Sequence, residues 1–426
     1  EYWLQAGRRA AERSADKEAV GHLGKGLEAL ETLPESTERL RRELALRLAL
    51  CSPLMVTKGF TSEETVKTYA RARELCELLG ETEQSFPVLF GEWVHHYVGG
   101  EHRLARRVAT ELLRLSQQQG DTVAMAVGHR LLGWSALMMG ELAAVRPHLD
   151  KALCSYDAQR HSSLRYRYVH DPKIAALSCA VFHEWLCGFP ERAIQTSAEV
   201  IAHARDLDHA SSLAYALFHA GAMPAALRRD ARAVRTFADE LLALSEARGF
   251  PVYLAWGRAG AGWAMARCGE REAGMKLLRE GRTALTAGGW KYFYALSLAL
   301  LAELHLEEVR LGEALDTLEE AQRLIEQTEE RMYEAEIHRL TGEVLLARGA
   351  GTSEAEARFR AAVAVAQRQG AKSLELRAAI GLARLYRTQG RGHEARDLLA
   401  PLYGWFTEGL DTDDLSEAKA QLDSLS

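Results

Sequence analysis

The chain has little of what most function classes require. Only 9 of its 426 residues are proline, and β-branched runs alternating with period two are nearly absent. That excludes a large β architecture, which needs alternating strands punctuated by turn residues. An excess of positive charge is missing as well: 53 Lys and Arg stand against 59 Asp and Glu, for a net charge of −6. A nucleic-acid partner is not expected, because that needs a basic stripe. No window approaches the ~18 uninterrupted apolar residues of a membrane span, so a membrane is not expected either. The six cysteines, at 51, 76, 154, 179, 187 and 268, form no CxxC pair. They read as reduced, mostly buried thiols of a cytoplasmic protein. Cys179 and Cys187 would lie on one helix face about 12 Å apart, too far for a disulfide. Glu1-Tyr2-Trp3-Leu4 lacks the basic start and apolar core of a signal peptide. Without an initiator Met it reads as a fragment that begins inside a helix.

The motifs of catalysis are missing too. There is no phosphate loop of the G-x-x-x-x-G-K-[ST] kind and no G-x-G-x-x-G after a strand. A G-x-S-x-G elbow and an H-E-x-x-H zinc helix are likewise absent. The nearest approach to a metal cluster is Glu92, His95, His96 and His102. Adjacent His residues on a helix point about 100° apart, so only Glu92 and His96, one turn apart, share a face. Half-buried or surface imidazoles are the better reading. No catalytic, cofactor or metal site is expected, and hence no enzyme.

What the chain does have is Ala, Leu, Arg and Glu, all strong helix formers. Arg outnumbers Lys, the bias of a GC-rich bacterial source. A pattern of small-x-x-x-large-x-x-small residues recurs, with first positions at Ala19, Thr65, Ala105, Val145, Ala193, Ala233, Ala273, Ala314, Ala355 and Ala395. Successive intervals are 46, 40, 40, 48, 40, 40, 41, 41 and 40. The large positions include Leu23, Tyr69, Leu149, Phe237, Leu277, Leu318, Phe359 and Leu399, with Ala109 and Ser197 as weak members. Upstream of most anchors stands a second small residue, and a Gly turn such as Gln389-Gly390-Arg391 comes between. Each unit therefore reads as two helices that approach closely and turn at glycine.

This layout resembles the tetratricopeptide repeat, with a first pattern of Trp3-x-x-Ala6-Gly7-x-x-Ala10 and Ala19-x-x-x-Leu23-x-x-Gly26. The interval exceeds the ~34 residues of the standard repeat, which implies longer helices. The expected fold is all-α: a right-handed α-solenoid of about ten tetratricopeptide-like hairpins, each contacting its neighbours. The repeats would fill residues 1–410 and a C-terminal capping helix 411–426. Asp413 and Asp414 stand at the positive end of that last helix.

Two places break the interval. The first is Cys51 to Phe60, leading into Thr61-Ser62-Glu63-Glu64, a capping signal. The second is His161 to His170, ended by Asp171-Pro172, an N-cap and first helical residue. Each is either a longer connection or a place where a partner binds. If the phasing holds, a concave wall would carry Arg130, Trp134, Phe182, Trp185, Tyr215, Phe218 and Arg258. It would become charged further on, at Arg339, Glu343, Arg384 and Arg387. Such a wall suits a peptide or partner helix; the alternative is that these residues are core. In Trp290-Lys291-Tyr292-Phe293-Tyr294 the four aromatics cannot share one helix face, so either one or two are exposed as a contact patch or they pack under the preceding Gly288-Gly289 turn.

Two further stretches carry a second resemblance. One is Leu399-Ala400-Pro401-Leu402-Tyr403-Gly404-Trp405-Phe406-Thr407-Glu408-Gly409; the other is Gly59-Phe60-Thr61-Ser62-Glu63 with Tyr69-Ala70-Arg71-Ala72. Trp185-Leu186-Cys187-Gly188-Phe189-Pro190-Glu191 supports them. They are similar to the C-terminal repeat region of large bacterial signalling proteins that join a P-loop ATPase to an effector, often a class III adenylate or guanylate cyclase. The resemblance implies a non-catalytic sensor or interaction module. Its partners would be a protein or peptide and the upstream ATPase and cyclase domains of the same full-length chain. A stand-alone adaptor that binds a peptide or helix in its groove is the alternative.

Overall fold

Every regular element among the described residues is helical. The computed structural model describes residues 1–81, 83–154, 156–157, 163–349 and 351–425. Consecutive helices pair as hairpins, for example Pro251–Arg267 with Arg271–Ala287 and Glu334–Ala347 with Thr352–Gln369. The fold is thus an all-α solenoid of tetratricopeptide-like hairpins. Glycine ends several helices because the last carbonyls need a left-handed residue to close them. Gly80 does so after Glu63–Leu79, with φ +68 and its N–H turned back onto the final turn.

Most anchor residues are buried where the repeat pattern puts them, from Ala19 and Leu23 to Ala395 and Leu399. Two repeats are read one residue out of phase. Ala273 is exposed and Leu277 half-buried, whereas Gly274, Leu278 and Gly281 are buried. Likewise Val234 and Ala238, not Ala233 and Phe237, are buried. The cause at 274 is close backbone contact. A Cβ on Gly274 would lie 2.5 Å from the Ala266 amide nitrogen and 2.6 Å from the Gly262 carbonyl oxygen. Only glycine permits that approach, so glycine and not the neighbouring alanine faces the partner helix.

The chain divides into two compact units. The first comprises Glu1–Ser135, Pro147–Cys179 and Ser197–Tyr292. The second comprises Ala136–Arg146, Ala180–Thr196 and Phe293–Ser426. In the first, residues 51–58 are not a loop: helix Thr37–Lys58 runs on through Pro53 and stops at Gly59. Ser62 then caps Glu63–Leu79, its hydroxyl accepting from the Thr65 N–H at 3.3 Å. The second interruption lies partly outside the described residues. Its described end is a short helix, Leu164–Arg167, followed by Val169 at φ +67 and by Asp171. Asp171 caps Pro172–Leu186 as expected, its Oδ1 accepting from the N–H groups of Lys173 and Ile174.

Contacts are not confined to sequence neighbours, contrary to the nearest-neighbour expectation. In the first unit the Val98 carbonyl ends a helix and accepts from the Lys291 and Tyr292 N–H groups at 2.8 and 3.3 Å. In the second, the Met138 carbonyl accepts from Arg331 and Met332 at 2.7 and 3.2 Å, across the same interval of chain. Helix-end carbonyls without a partner in their own helix are bonded by distant turns. The aromatic run at 290–294 makes these contacts possible. It is not helical until Tyr294, so its side chains diverge, and of the two readings the run packs under the Gly-rich turn and is not exposed. Trp290, Tyr292 and Phe293 are buried and Tyr294 is half-buried. Trp290 packs over Gly59 and under its own Gly288 turn, while the Thr61 hydroxyl donates to the Gly288 carbonyl at 2.7 Å.

The second unit joins two stretches singled out in the sequence. Trp405 and Phe406 close on Gly188, where a Cβ would come within 2.6 Å of the indole. The Gly409 N–H donates to Glu191 at 2.7 Å, and the Arg192 N–H donates to Glu408 at 3.0 Å. Helix Asp413–Ser424 buries Leu415 and Ala418 in the same core as Tyr386 and Leu399. The charged residues nearby pair with one another. Arg339 grips Glu336 with Nε and Nη2 at 2.9 and 2.8 Å, and Arg377 donates to Asp414 at 2.7 Å. Arg384 reaches Glu343 and Glu417.

Candidate functional site

The first unit holds a half-open cavity walled mostly by aromatic rings. It leaves about 460 Å³ free of atoms, of which the centre of a water molecule can visit about 40 Å³. Helix Ser85–Val98 supplies Phe90, Trp93 and Tyr97 from one face, and Thr122–Met138 supplies Arg130 and Trp134 one turn apart. His170, Tyr215, His219, Tyr253 and Tyr292 complete most of the wall. The indoles are fixed: Trp93 Nε1 donates to the Ser135 hydroxyl at 3.1 Å, and Trp134 Nε1 to the Ala175 carbonyl at 2.9 Å. Rings brace rings. Tyr97 stacks on Trp93 at 4.5 Å, and His219 stacks on Tyr215 at 3.8 Å. Tyr215 keeps partial exposure, unlike Tyr97, Tyr253 and Tyr292, and so marks the open side.

Two local irregularities aim these side chains. Leu217–Ala222 is a π-helical segment, the form that re-aims side chains at functional sites. Its cause is in the sequence. Pro224 has no N–H for the Ala220 carbonyl four residues back, and the Ser197 hydroxyl donates to that carbonyl at 2.6 Å instead. This accounts for the serine at a weak repeat position. The other irregularity is Val169, a β-branched residue at φ +67, around which the His170 N–H turns back to the Tyr168 carbonyl at 2.7 Å. Such backbone is strained and concentrates at functional sites. It delivers His170 into the wall, where Nδ1 meets the Ser211 hydroxyl at 3.2 Å and Nε2 the Tyr253 hydroxyl at 3.3 Å.

The electrostatics are set by burial. Desolvation pushes the His219 imidazole down to about 3, although the Tyr215 carbonyl opposes this, and pushes His209 down to about 4. His170 falls well below its usual range for the same reason, aided by its charged and imidazole neighbours. The wall histidines are therefore neutral near pH 7. Arg130 is the cation. It is 4% exposed, with its guanidinium 5.3 Å over the Phe90 ring. Its Nε and Nη2 have no hydrogen-bond partner among the described residues. Burial lowers its pKa, and the more distant Tyr215, Tyr168 and Asp171 counter that.

A depressed imidazole makes stability depend on pH with a definite sign. The unfolded chain binds the proton first, so the contribution is complete above the unfolded value of 6.5 and is lost as pH falls toward 3. At about pH 5, His219 alone should account for about 2 kcal/mol. We expect His219→Phe to flatten the fall of the thermal midpoint between neutral and mildly acid pH. A variant whose midpoint falls as steeply as the wild type would contradict this.

Of the seven wall residues expected from sequence, Arg130, Trp134 and Tyr215 meet at the cavity. Phe218 lies behind it, with its ring 5.1 Å from Trp256 and 6.0 Å from Tyr292. Arg258 is half-buried on helix Pro251–Arg267 and does not line it. Phe182 and Trp185 belong to the second unit. Phe182 stacks on Phe293 at 5.2 Å, and Trp185 lies under Arg377 at 4.9 Å, its carbonyl accepting from the Ser373 hydroxyl. Phe90 and Trp93 stand one repeat interval before Arg130 and Trp134, and the same phasing finds them. His170 and His219 follow from the two irregularities, which the repeat pattern does not encode.

The arrangement suits recognition. It offers one fixed cation, neutral donors and acceptors, and large apolar faces. Glu92 pairs with Arg73 at 2.7 Å and His96 with Glu101 at 2.6 Å, so the two members of the closest metal-like cluster that share a helix face pair elsewhere. Among the described residues no group of three or more His, Cys, Asp or Glu could hold a metal ion. None of the six cysteines is in a disulfide; Cys154 and Cys268 are exposed, and burial pushes the Cys51 thiol up to about 12. No helix among the described residues is long and apolar enough to cross a membrane.

Comparison with known proteins places the fold. No family model matches the chain. An uncharacterized protein of Rhizobium meliloti (strain 1021) is 25% identical over 382 residues, covering 88% of this chain. The chain spans only 36% of that relative's length. Among solved structures, a Rap protein complexed with Competence and Sporulation Factor superposes with a TM-score of 0.59 at 12% identity. The match covers 86% of this chain and 98% of the Rap chain. Yeast Tom70 is a more distant match, with a TM-score of 0.37 at 13% identity over 99% of this chain and 88% of its own.

Proposed function

We propose that this chain is a non-catalytic recognition module, the regulatory repeat region of a larger bacterial signalling protein of the ATPase or nucleotide-cyclase kind. The cavity around Arg130 carries the reading. A buried cation with free donors, set among fixed aromatic rings, is costly to fold and useful only when something fills it. The solved Rap structure holds a bound factor, so this fold can accommodate one. The partner here would be a protein or peptide, met in the cytoplasm. A relative of which this chain matches only 36% favours a region of a larger protein over a free-standing adaptor. Coupling to upstream domains requires that the occupant bind one state of the module better than another.

The test is selection from a random peptide library against wild type and Trp134→Ala. Wild type should enrich a family of peptides that the variant recovers at least about tenfold less well, the loss typical of a buried aromatic anchor. Equal recovery by the two proteins would contradict the assignment, as would ATP or GTP turnover by the purified chain.

A further inference from the structure

We propose that the cavity binds a carboxylate through the side edge of Arg130, with the small apolar body of the ligand against the surrounding rings. This rests on the reading of the cavity as the recognition site. An arginine stays charged in a protein interior, and a buried charge needs a partner. The chain supplies its own comparison. Three arginines are buried among the described residues: Arg130, Arg339 and Arg377. Arg339 holds Glu336 with Nε and Nη2, and Arg377 holds Asp414 through Nε. Arg130 alone has no carboxylate, and the two atoms it leaves free are Nε and Nη2. Those are the parallel donors that Arg339 uses on both oxygens of Glu336. They match a carboxylate in spacing and direction.

Asp171 does not fill this role. Its oxygens are taken by the Tyr156 hydroxyl and the N–H groups of Lys173 and Ile174, and it forms no ion pair with Arg130. Charge balance favours a monoanion, since the wall has one cation and its histidines are neutral. A phosphate dianion would bring a second charge with nothing to meet it. Size agrees. A water needs about 10–15 Å³ of such space, so the 40 Å³ open to water centres admits a planar head, with the rest of the ligand extending along the rings toward the open side at Tyr215. The aromatic wall then takes the carbon skeleton next to it. The carboxylate can come from the C-terminus of a peptide or from a free small acid.

Calorimetric titration of the whole chain separates these. The probes are phenylacetate and its amide, and a tripeptide ending in phenylalanine with a free or amidated C-terminus. At least one acid should bind roughly tenfold or more tightly than its amide, because the amide loses a charge-assisted pair of hydrogen bonds. A stronger response to phenylacetate assigns a free acid; a stronger response to the tripeptide assigns a peptide end. Arg130→Met should abolish the acid preference, and Arg130→Lys, which keeps the charge but loses the fork, should weaken it. Equal binding of acid and amide would overturn the carboxylate assignment while leaving the cavity as a recognition site. No binding by any probe would overturn both.

Discussion

Gly274→Ala should destabilise the chain by about 3 kcal/mol, at the upper end for one added methyl group. The new Cβ would meet the Ala266 amide nitrogen at 2.5 Å and the Gly262 carbonyl oxygen at 2.6 Å. Both are backbone atoms of the partner helix, so no side chain can swing aside and the two helices must separate. Packing interiors have no spare volume to absorb this. Gly262→Ala should behave alike, since its Cβ would lie 2.4 Å from the Leu278 amide nitrogen. Gly312→Ala is the control. It sits in helix Leu311–Thr328 with nothing within 4 Å of the added atom. Helix propensity alone acts there and should stabilise by up to about 1 kcal/mol. Thermal unfolding of the three variants checks the contrast; midpoints that move together would contradict it.

Glu336→Gln should cost about 3–5 kcal/mol, because it leaves Arg339 buried without its carboxylate. Burial opposes the charge on Arg339, and Glu336, joined by Glu343 and Glu303, more than offsets it. Glu343, at 3.4 Å from the other Nη, is too poorly placed to take over. The pair as a whole contributes less than that loss, since two charges had to leave water. Glu336→Gln combined with Arg339→Met should therefore recover most of the stability, and a double-mutant cycle measures the coupling. A double variant as unstable as Glu336→Gln would contradict it.

The helices, their pairing and most of the interval were legible in sequence, because small and large residues at fixed spacing are a local code. Ala273 shows the limit of that code: the pattern offers alanine as the small residue, whereas the adjacent Gly274 makes the contact. The long-range closures were not legible. They depend on helix-end carbonyls such as Val98 meeting turns far along the chain, and nothing local marks a carbonyl as lacking a partner. Trp290 to Phe293 left two readings open for a related reason, since helical periodicity does not govern residues outside a helix. At the cavity, Arg130, Trp134 and Tyr215 came from phasing. His219 did not, because it depends on Pro224 stripping a hydrogen bond from Ala220. Arg130 also resembles Arg258 in sequence, and only burial distinguishes a lone interior cation from a half-exposed one.

The central claim is that the Arg130 guanidinium is the point at which an occupant is read. The direct measurement is the Nε–H resonance of Arg130 in arginine-labelled protein, assigned by its loss in Arg130→Lys, during titration with the best-binding acid. A new charge-assisted hydrogen bond should move that resonance progressively to saturation, while the amide leaves it in place. A resonance that stays fixed while the acid binds would place the occupant elsewhere and contradict the account.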